Sequence, residues 1–152
     1  MKQTLDDPKL RAELVARLRR LAPESQRRWG KMTSHQAICH LSDSFLNMMG
    51  STAISSVATP FSRTVIKWIA LNAPLKWPQG VPTRPEVDQL IDGTKPVEFT
   101  RDRRELEALI EQFTARSGDA FQPHPMFGRL TTGEWQRWGW LHTDHHLRQF
   151  GV

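Results

Sequence analysis

The chain has 152 residues, 38% hydrophobic and 24% charged, which is enough for one compact domain (residues 1–152) and too little for two. Its single cysteine, Cys39, excludes an intramolecular disulfide, a Cys-x-x-Cys redox pair and a multi-cysteine zinc knot, and the lack of tyrosine excludes phenol-based acid catalysis. The net charge of +5 sits within Met1 to Lys31, where nine Lys or Arg stand against four Asp or Glu, so the basicity belongs to one N-terminal helix and its turn (Arg17, Arg19, Arg20, Arg27, Arg28, Lys31). A solvated helix face is the expected use of these cations, a phosphate-binding patch the alternative.

Leu10, Leu14, Leu18 and Leu21 recur at steps of three and four and predict a first amphipathic helix from about Asp7 to Leu21. The start of the chain is polar and lacks the apolar segment of a secretory signal. Thr33-Ser34-His35-Gln36 has the form of a capping box and opens a second helix, with Ile38, Leu41, Phe45 and Met48 on one face and an end near Gly50. Phe61 to Asn72 is expected to form a shorter apolar helix carrying Val65, Trp68, Ile69 and Leu71. The most apolar stretch, Ala53 to Leu75, is broken by Pro60, Arg63, Lys67 and Pro74, so no membrane span is expected and the cytoplasm is the expected compartment.

Ala73 to Thr100 holds half of the ten prolines and is expected to be largely irregular, with a helical turn or two at Pro85 to Asp92; connections this long often wall a pocket. Arg101 to Ser117 reads as a charged amphipathic helix with Leu106, Ile110 and Phe113 buried, and Gly118 to Leu130 as a loop. A second capping box, Thr131-Thr132-Gly133-Glu134, opens the last helix, which runs to about Phe150. No strand is expected. The fold class is all-α: long antiparallel helices around a shared core, one accessory helix and a long Pro-rich loop.

The last helix concentrates the chemistry. Trp135, Trp138, His142, His146 and Gln149 step by three or four and share one side, aromatic at one end and imidazole-rich at the other. Histidines four apart have Cβ atoms roughly 6 Å apart, so both rings can reach one ion, and a third ligand is then needed from another helix. His40, beside the Ile38/Leu41/Phe45 line of the second helix, is the best candidate, which makes His40, His142 and His146 the expected metal ligands. The alternative is that His142 and His146 are surface histidines one turn apart by chance. His145 lies about 100° around the wheel and is expected to pack rather than ligate. His35 is expected to be exposed, His124 to order its loop, and Cys39 to be a buried apolar thiol. Asp43 and Asp144 could orient ligand imidazoles, although exposed helix carboxylates are the commoner outcome.

His40, the run His142-Thr143-Asp144-His145-His146-Leu147-Arg148-Gln149, Trp29-Gly30-Lys31-Met32-Thr33, and His124-Pro125-Met126-Phe127-Gly128 leading into Thr131-Thr132-Gly133-Glu134-Trp135 together resemble the DinB-like superfamily of metal-binding helical bundles, in its branch of uncharacterised domains. The resemblance covers approximately Leu10 to Gly151. It implies a four-helix bundle with a three-histidine site for zinc, nickel or another divalent ion such as iron, and its ligand positions fall on His40, His142 and His146. Better-understood relatives are thiol-dependent transferases and isomerases in which the metal holds a small thiol as thiolate. Leu147-Arg148 departs from the Arg-Gly that many relatives carry before the glutamine, which leaves the ligands intact and changes the shape of the pocket.

The expected function is therefore a metal-dependent enzyme that activates a thiol or water, with a small-molecule thiol or electrophile as partner and neither nucleic acid nor membrane; a homodimer stays open. The competing readings are a binding module that uses the basic first helix on nucleic acid or an acidic protein, and a bundle whose metal only stabilises the fold.

Overall fold

The computed structural model describes residues 2–51 and 53–152. Five α-helices follow one another as α1 (Pro8–Leu18), α2 (Ser34–Met48), α3 (Lys67–Asn72), α4 (Phe99–Thr114) and α5 (Thr132–Gln149), and the described residues contain no strand. None of the helices is long and apolar enough to cross a membrane.

Local chemistry sets the helix ends. The Asp7 carboxylate accepts from the amides of Lys9 and Leu10, and Pro8 occupies the first turn of α1, where its missing N–H costs nothing. α1 stops at Leu18, three residues before the leucine periodicity ends, where the backbone tightens and Arg20 N–H donates to Arg17 O at 3.0 Å. Leu21 still reaches the core through a tight turn, Leu21 N–H donating to Leu18 O at 3.1 Å. Both capping boxes form: the Thr33 and Thr131 hydroxyls accept from the amides of Gln36 and Glu134, whose side chains return the bond. α4 begins at Phe99, two residues before the expected Arg101, since the Glu98 carboxylate caps the amides of Thr100 and Arg101.

The four long helices form two parallel pairs set antiparallel to each other, rather than a strict alternation. Leu5 N–H donates to Gln136 O and Arg17 pairs with Asp144, so α1 and α5 run the same way. His35 meets Asp102 at one end of α2 and α4 while Arg116 donates to Met49 O near the other, so these two also run together. Arg11–Glu111 and Arg19–Glu107 then join α1 to α4 in opposite directions, and Phe45–Trp138 with His40–His146 does the same for α2 and α5. A short link lets a helix only reverse; residues 49–98 are long enough to carry the chain back so that α4 starts beside the start of α2.

The core these helices share is aromatic at its centre. Phe45, Phe113, Trp135 and Trp138 are all buried, with ring centroids 4.8 Å apart for Phe45–Phe113 and 5.5 Å for Trp135–Trp138. Burying each such side chain contributes about 1.5–3 kcal/mol, and edge-to-face contact adds to it. Gly139 is part of this packing: a Cβ there would stand 2.6 Å from Leu5 Cδ1 and 3.3 Å from the rings of Phe113 and Phe45.

The crossover is less regular. Residues 60–72 are continuously helical, as expected, with a π-helical turn at Ser62–Ile66 running into α3. Of its four apolar positions named from the sequence, Leu71 is buried, whereas Val65, Trp68 and Ile69 are exposed. The Pro85 to Asp92 region contributes a single 3-10 turn, Pro85–Val87.

Candidate metal centre

α2 and α5 cross so that one turn of the first faces one turn of the second. His40 projects from the middle of α2, flanked by core residues Ile38 and Leu41, and His142 and His146 project from successive turns of α5. The three rings close a triangle, with centroids 5.2 Å (His40–His142), 4.7 Å (His40–His146) and 5.0 Å (His142–His146) apart. One nitrogen from each lies within 4.8 Å of the others, an arrangement that could hold a metal ion. His40 and His146 are buried and His142 is partly exposed.

The hydrogen bonds around the rings determine which nitrogens face the centre. His40 Nδ1 lies 2.8 Å from the carbonyl of Val87, and a carbonyl only accepts, so Nδ1 carries the proton and Nε2 keeps its lone pair. Gln149 Nε2 donates to Trp29 O at 3.0 Å, which turns its Oε1 towards His146 Nδ1 at 3.1 Å; that nitrogen donates, and His146 Nε2 is likewise a lone pair. Gly30 makes this relay possible. Its φ of +77° suits glycine, and a Cβ there would stand 2.5 Å from the Gln149 amide nitrogen.

His40 Nε2 stands 3.2 Å from His142 Nε2. Ligand nitrogens at about 2.0–2.1 Å from a tetrahedral ion are roughly 3.3 Å apart, so the pair already has the spacing that two ligands of one ion require. Without an ion, a proton on His142 Nε2 donated to His40 Nε2 accounts for the same spacing, and in either tautomer the buried His142 Nδ1 has no hydrogen-bond partner among the described residues. Burial pushes all three imidazoles below their ordinary value; at His142 and His146 the neighbouring rings add to the effect and hold them well below it, whereas at His40 the Val87 carbonyl, Asp43 and Asp88 oppose it. At neutral pH the three are uncharged, the form that binds metal.

Two tryptophans flank the triangle at His142. The Trp138 ring lies 5.0 Å from His142 on the core side, and Trp77, from the Pro-rich stretch, lies 6.1 Å from His142 and 6.2 Å from His145. Trp77 is held there by donating to Ala70 O at 2.9 Å, so the crossover does wall the site. His145 packs between Trp77 and Trp29, its centroid 6.1 Å from the latter.

The two carboxylates that could have oriented the imidazoles have other partners. Asp43 accepts from Gln89 Nε2, Thr94 N–H and the Thr94 hydroxyl, and so ties down the crossover. Asp144 pairs with Arg17 and Arg148 on the outer side of α5. The Val87 carbonyl and the Gln149 amide take their place. Gln149 was visible in the sequence, one turn beyond His146 on the same face; a backbone carbonyl has no sequence signature.

The remaining histidines separate by environment. His124 accepts through Nδ1 from the amides of Met126 and Phe127 and stacks on Phe127 at 4.4 Å, so it orders its own loop; burial lowers it to about 3. His35 is not exposed. It is half-buried, 2.8 Å from Asp102 Oδ2, with its ring against Phe99. Cys39 is buried as expected, but its thiol faces Asp102 Oδ2 at 3.9 Å rather than a purely apolar wall.

A family model described as "Protein of unknown function (DUF1569)" matches residues 2–151 of the chain. No curated protein and no solved structure matches it.

Proposed function

The chain belongs to the DUF1569 family, and we propose that it is a DinB-like four-helix bundle that binds one divalent metal ion, zinc or nickel before iron, through His40, His142 and His146, and uses it as an enzyme on a small thiol or electrophile. The observation that carries this reading is the 3.2 Å approach of two imidazole nitrogens, one of them held as a lone pair by the Val87 carbonyl. Lone pairs brought that close repel unless a proton or a cation lies between them.

A divalent ion on three neutral imidazoles supplies Lewis acidity at an open coordination position, enough to favour the deprotonated form of a thiol or a water. The chain supplies the rest. Val87 and Gln149 hold the tautomers of His40 and His146, which keeps both Nε2 lone pairs available and aimed inward. Trp77 and Trp138 pack beside His142 and make its surroundings partly apolar, which strengthens electrostatic interactions at the site. Thiol transfer to a small electrophile suits such a site because a thiolate, not a thiol, is the nucleophile.

A module that docks the basic first helix on nucleic acid has less support, since Arg11, Arg17 and Arg19 are already paired with Glu111, Asp144 and Glu107. The test is elemental analysis of protein purified without an affinity tag, beside His40→Ala. About one equivalent of metal per chain, lost in the variant, is expected; protein without stoichiometric metal, whose metal uptake His40→Ala leaves unchanged, sinks the reading. Titration of cobalt-substituted protein with a small thiol separates the enzyme reading from a purely structural ion, because only an open position lets the thiol change the visible spectrum.

A further inference from the structure

The loop before α5 and the first turn of the helical segment 60–72 form a cavity of about 420 Å3, lined by Arg63, Pro123, Phe127, Gly128 and Arg129. Its walls are fixed. His124 N–H donates to Gly128 O at 2.8 Å and Gly128 N–H returns the bond at 2.9 Å, the His124 ring accepts from the amides of Met126 and Phe127, and Phe127 stacks on it. The helical segment and the strand of chain before it are tied to this loop: Val57 N–H donates to Pro125 O at 2.8 Å and the Ser62 hydroxyl to Met126 O at 2.7 Å. Gly128, at a φ of +71°, lets the stem of Arg63 lie against the backbone; a Cβ there would stand 3.3 Å from Arg63 Cγ and 3.4 Å from its Nε.

Two cations therefore share one concave site. Neither the Arg63 nor the Arg129 guanidinium makes a hydrogen bond or ion pair among the described residues, whereas Arg11, Arg17, Arg19 and Arg148 are all paired. The flanking sequence offers them no free carboxylate. It has no Asp or Glu between Asp43 and Glu86 or between Asp119 and Glu134, and Glu134 is committed through Oε1 to Lys67 at 3.0 Å and through Oε2 to Thr131 N–H at 2.8 Å. Like charges gathered at one cavity without a counter-charge favour an anion there.

We propose that this cavity binds a small organic anion, its carboxylate or phosphate held by the Arg63 and Arg129 forks and its apolar body against Phe127 and Pro123. Guanidinium meets either oxyanion through paired N–H bonds, and a volume of about 420 Å3 falls in the range of small-molecule sites, more than an inorganic ion fills. The site is separate from the metal centre. Trp138 stands between them, its ring 5.6 Å from His124 and 5.0 Å from His142, and none of the three histidine ligands lines the cavity. The proposal thus stands whether or not the chain holds a metal.

The test is titration of the isotope-labelled full chain with phenyl phosphate and with phenylacetate, followed by amide NMR shifts. Saturable shifts at Gly128 and Arg129 are expected, and the tighter of the two anions names the headgroup. Benzyl alcohol, which lacks the charge, and inorganic phosphate, which lacks the ring, should bind about tenfold more weakly or worse. Arg63→Gln and Arg129→Gln should each weaken the tighter anion about tenfold, while Arg104→Gln, which removes the same charge from an exposed position of α4, should leave it unchanged. All three side chains are exposed, so the variants keep the fold, which unchanged spectra away from the cavity verify. No saturable shift at Gly128 and Arg129 with either anion overturns the proposal. So do equal binding of benzyl alcohol or of inorganic phosphate, indifference to either cavity variant, and equal weakening by Arg104→Gln, which would mean only diffuse attraction to a basic protein.

Discussion

Two clusters of metal-binding residue types share α2, on different sides of it, and they differ in what the protein has already done with their lone pairs. His40 meets His142 and His146; His35 and Cys39 meet Asp102, and in each case the ligand atoms lie within 4.8 Å of one another. The first set is uncharged, and two of its rings give their outer nitrogens to the protein, which leaves the inner nitrogens of His40 and His146 as lone pairs, that of His40 facing only His142 Nε2 at 3.2 Å. In the second, nothing is left over. Asp102 accepts from the Val97 amide at 3.1 Å, from Arg101 at 2.8 Å and contacts His35 at 2.8 Å. Burial opposes ionisation of its carboxyl, but these partners outweigh burial and hold it at about 2. Burial and the adjacent Asp102 carboxylate push the Cys39 thiol up to about 12, so it stays protonated and donates. Proximity is common to both clusters. What distinguishes them is whether the protein's own donors have already used the lone pairs.

The sharpest way to break this comparison is to remove one residue from each cluster and measure metal and stability together. His142→Ala should abolish stoichiometric metal binding, whereas Asp102→Asn should leave metal content unchanged and cost about 2–3 kcal/mol of stability, measured by urea unfolding, because a buried charged hydrogen-bond acceptor is lost. If Asp102→Asn lowers metal content, the second cluster is the site.

A smaller effect sharpens the role of the outer partners. Gln149→Leu keeps all three ligands but removes the acceptor that orients His146, and should weaken metal affinity about 10–100-fold in a competition titration with a chelator. Unchanged affinity would mean that the helix alone sets the ring.

The mildest effect is in pH, where the clusters should separate. His40, His142, His146 and His124 have lowered values in the folded chain, so below about 6.5 the unfolded chain binds protons that the folded metal-free chain refuses. Their contribution is therefore whole above about pH 6.5 and falls as pH drops, by about 1.4 kcal/mol per pH unit for each group, the His124 window extending to about 3. Asp102, lowered from 3.8 to about 2, keeps its contribution until pH falls below its unfolded value and loses it only between the two. Chelator-treated protein should thus lose stability in two stages, and a single stage near pH 3 would contradict the histidine assignment.

Much of this was legible from local pattern. The capping boxes, the leucine and aromatic lines and the shared face of Trp135, Trp138, His142, His146 and Gln149 follow from helical periodicity, which operates over a few residues. Misjudged positions depended on partners distant in sequence. His35 looked exposed because its partner, Asp102, is 67 residues away; the apolar spacing of α3 left open which of its side chains meet a neighbour, and the structure buries Leu71 while exposing Trp68.

From the sequence alone came an all-helical chain, the elements and their caps, and three histidines able to share an ion, since each depends on spacing along one helix or on side-chain chemistry. Only the tertiary structure decided that α2 and α4 run parallel, that Val87 and Gln149 rather than Asp43 and Asp144 orient the rings, and that Phe61 and Trp68 face outward. Those outcomes turn on where the long crossover places its backbone, and helical periodicity carries no information about a contact made across it.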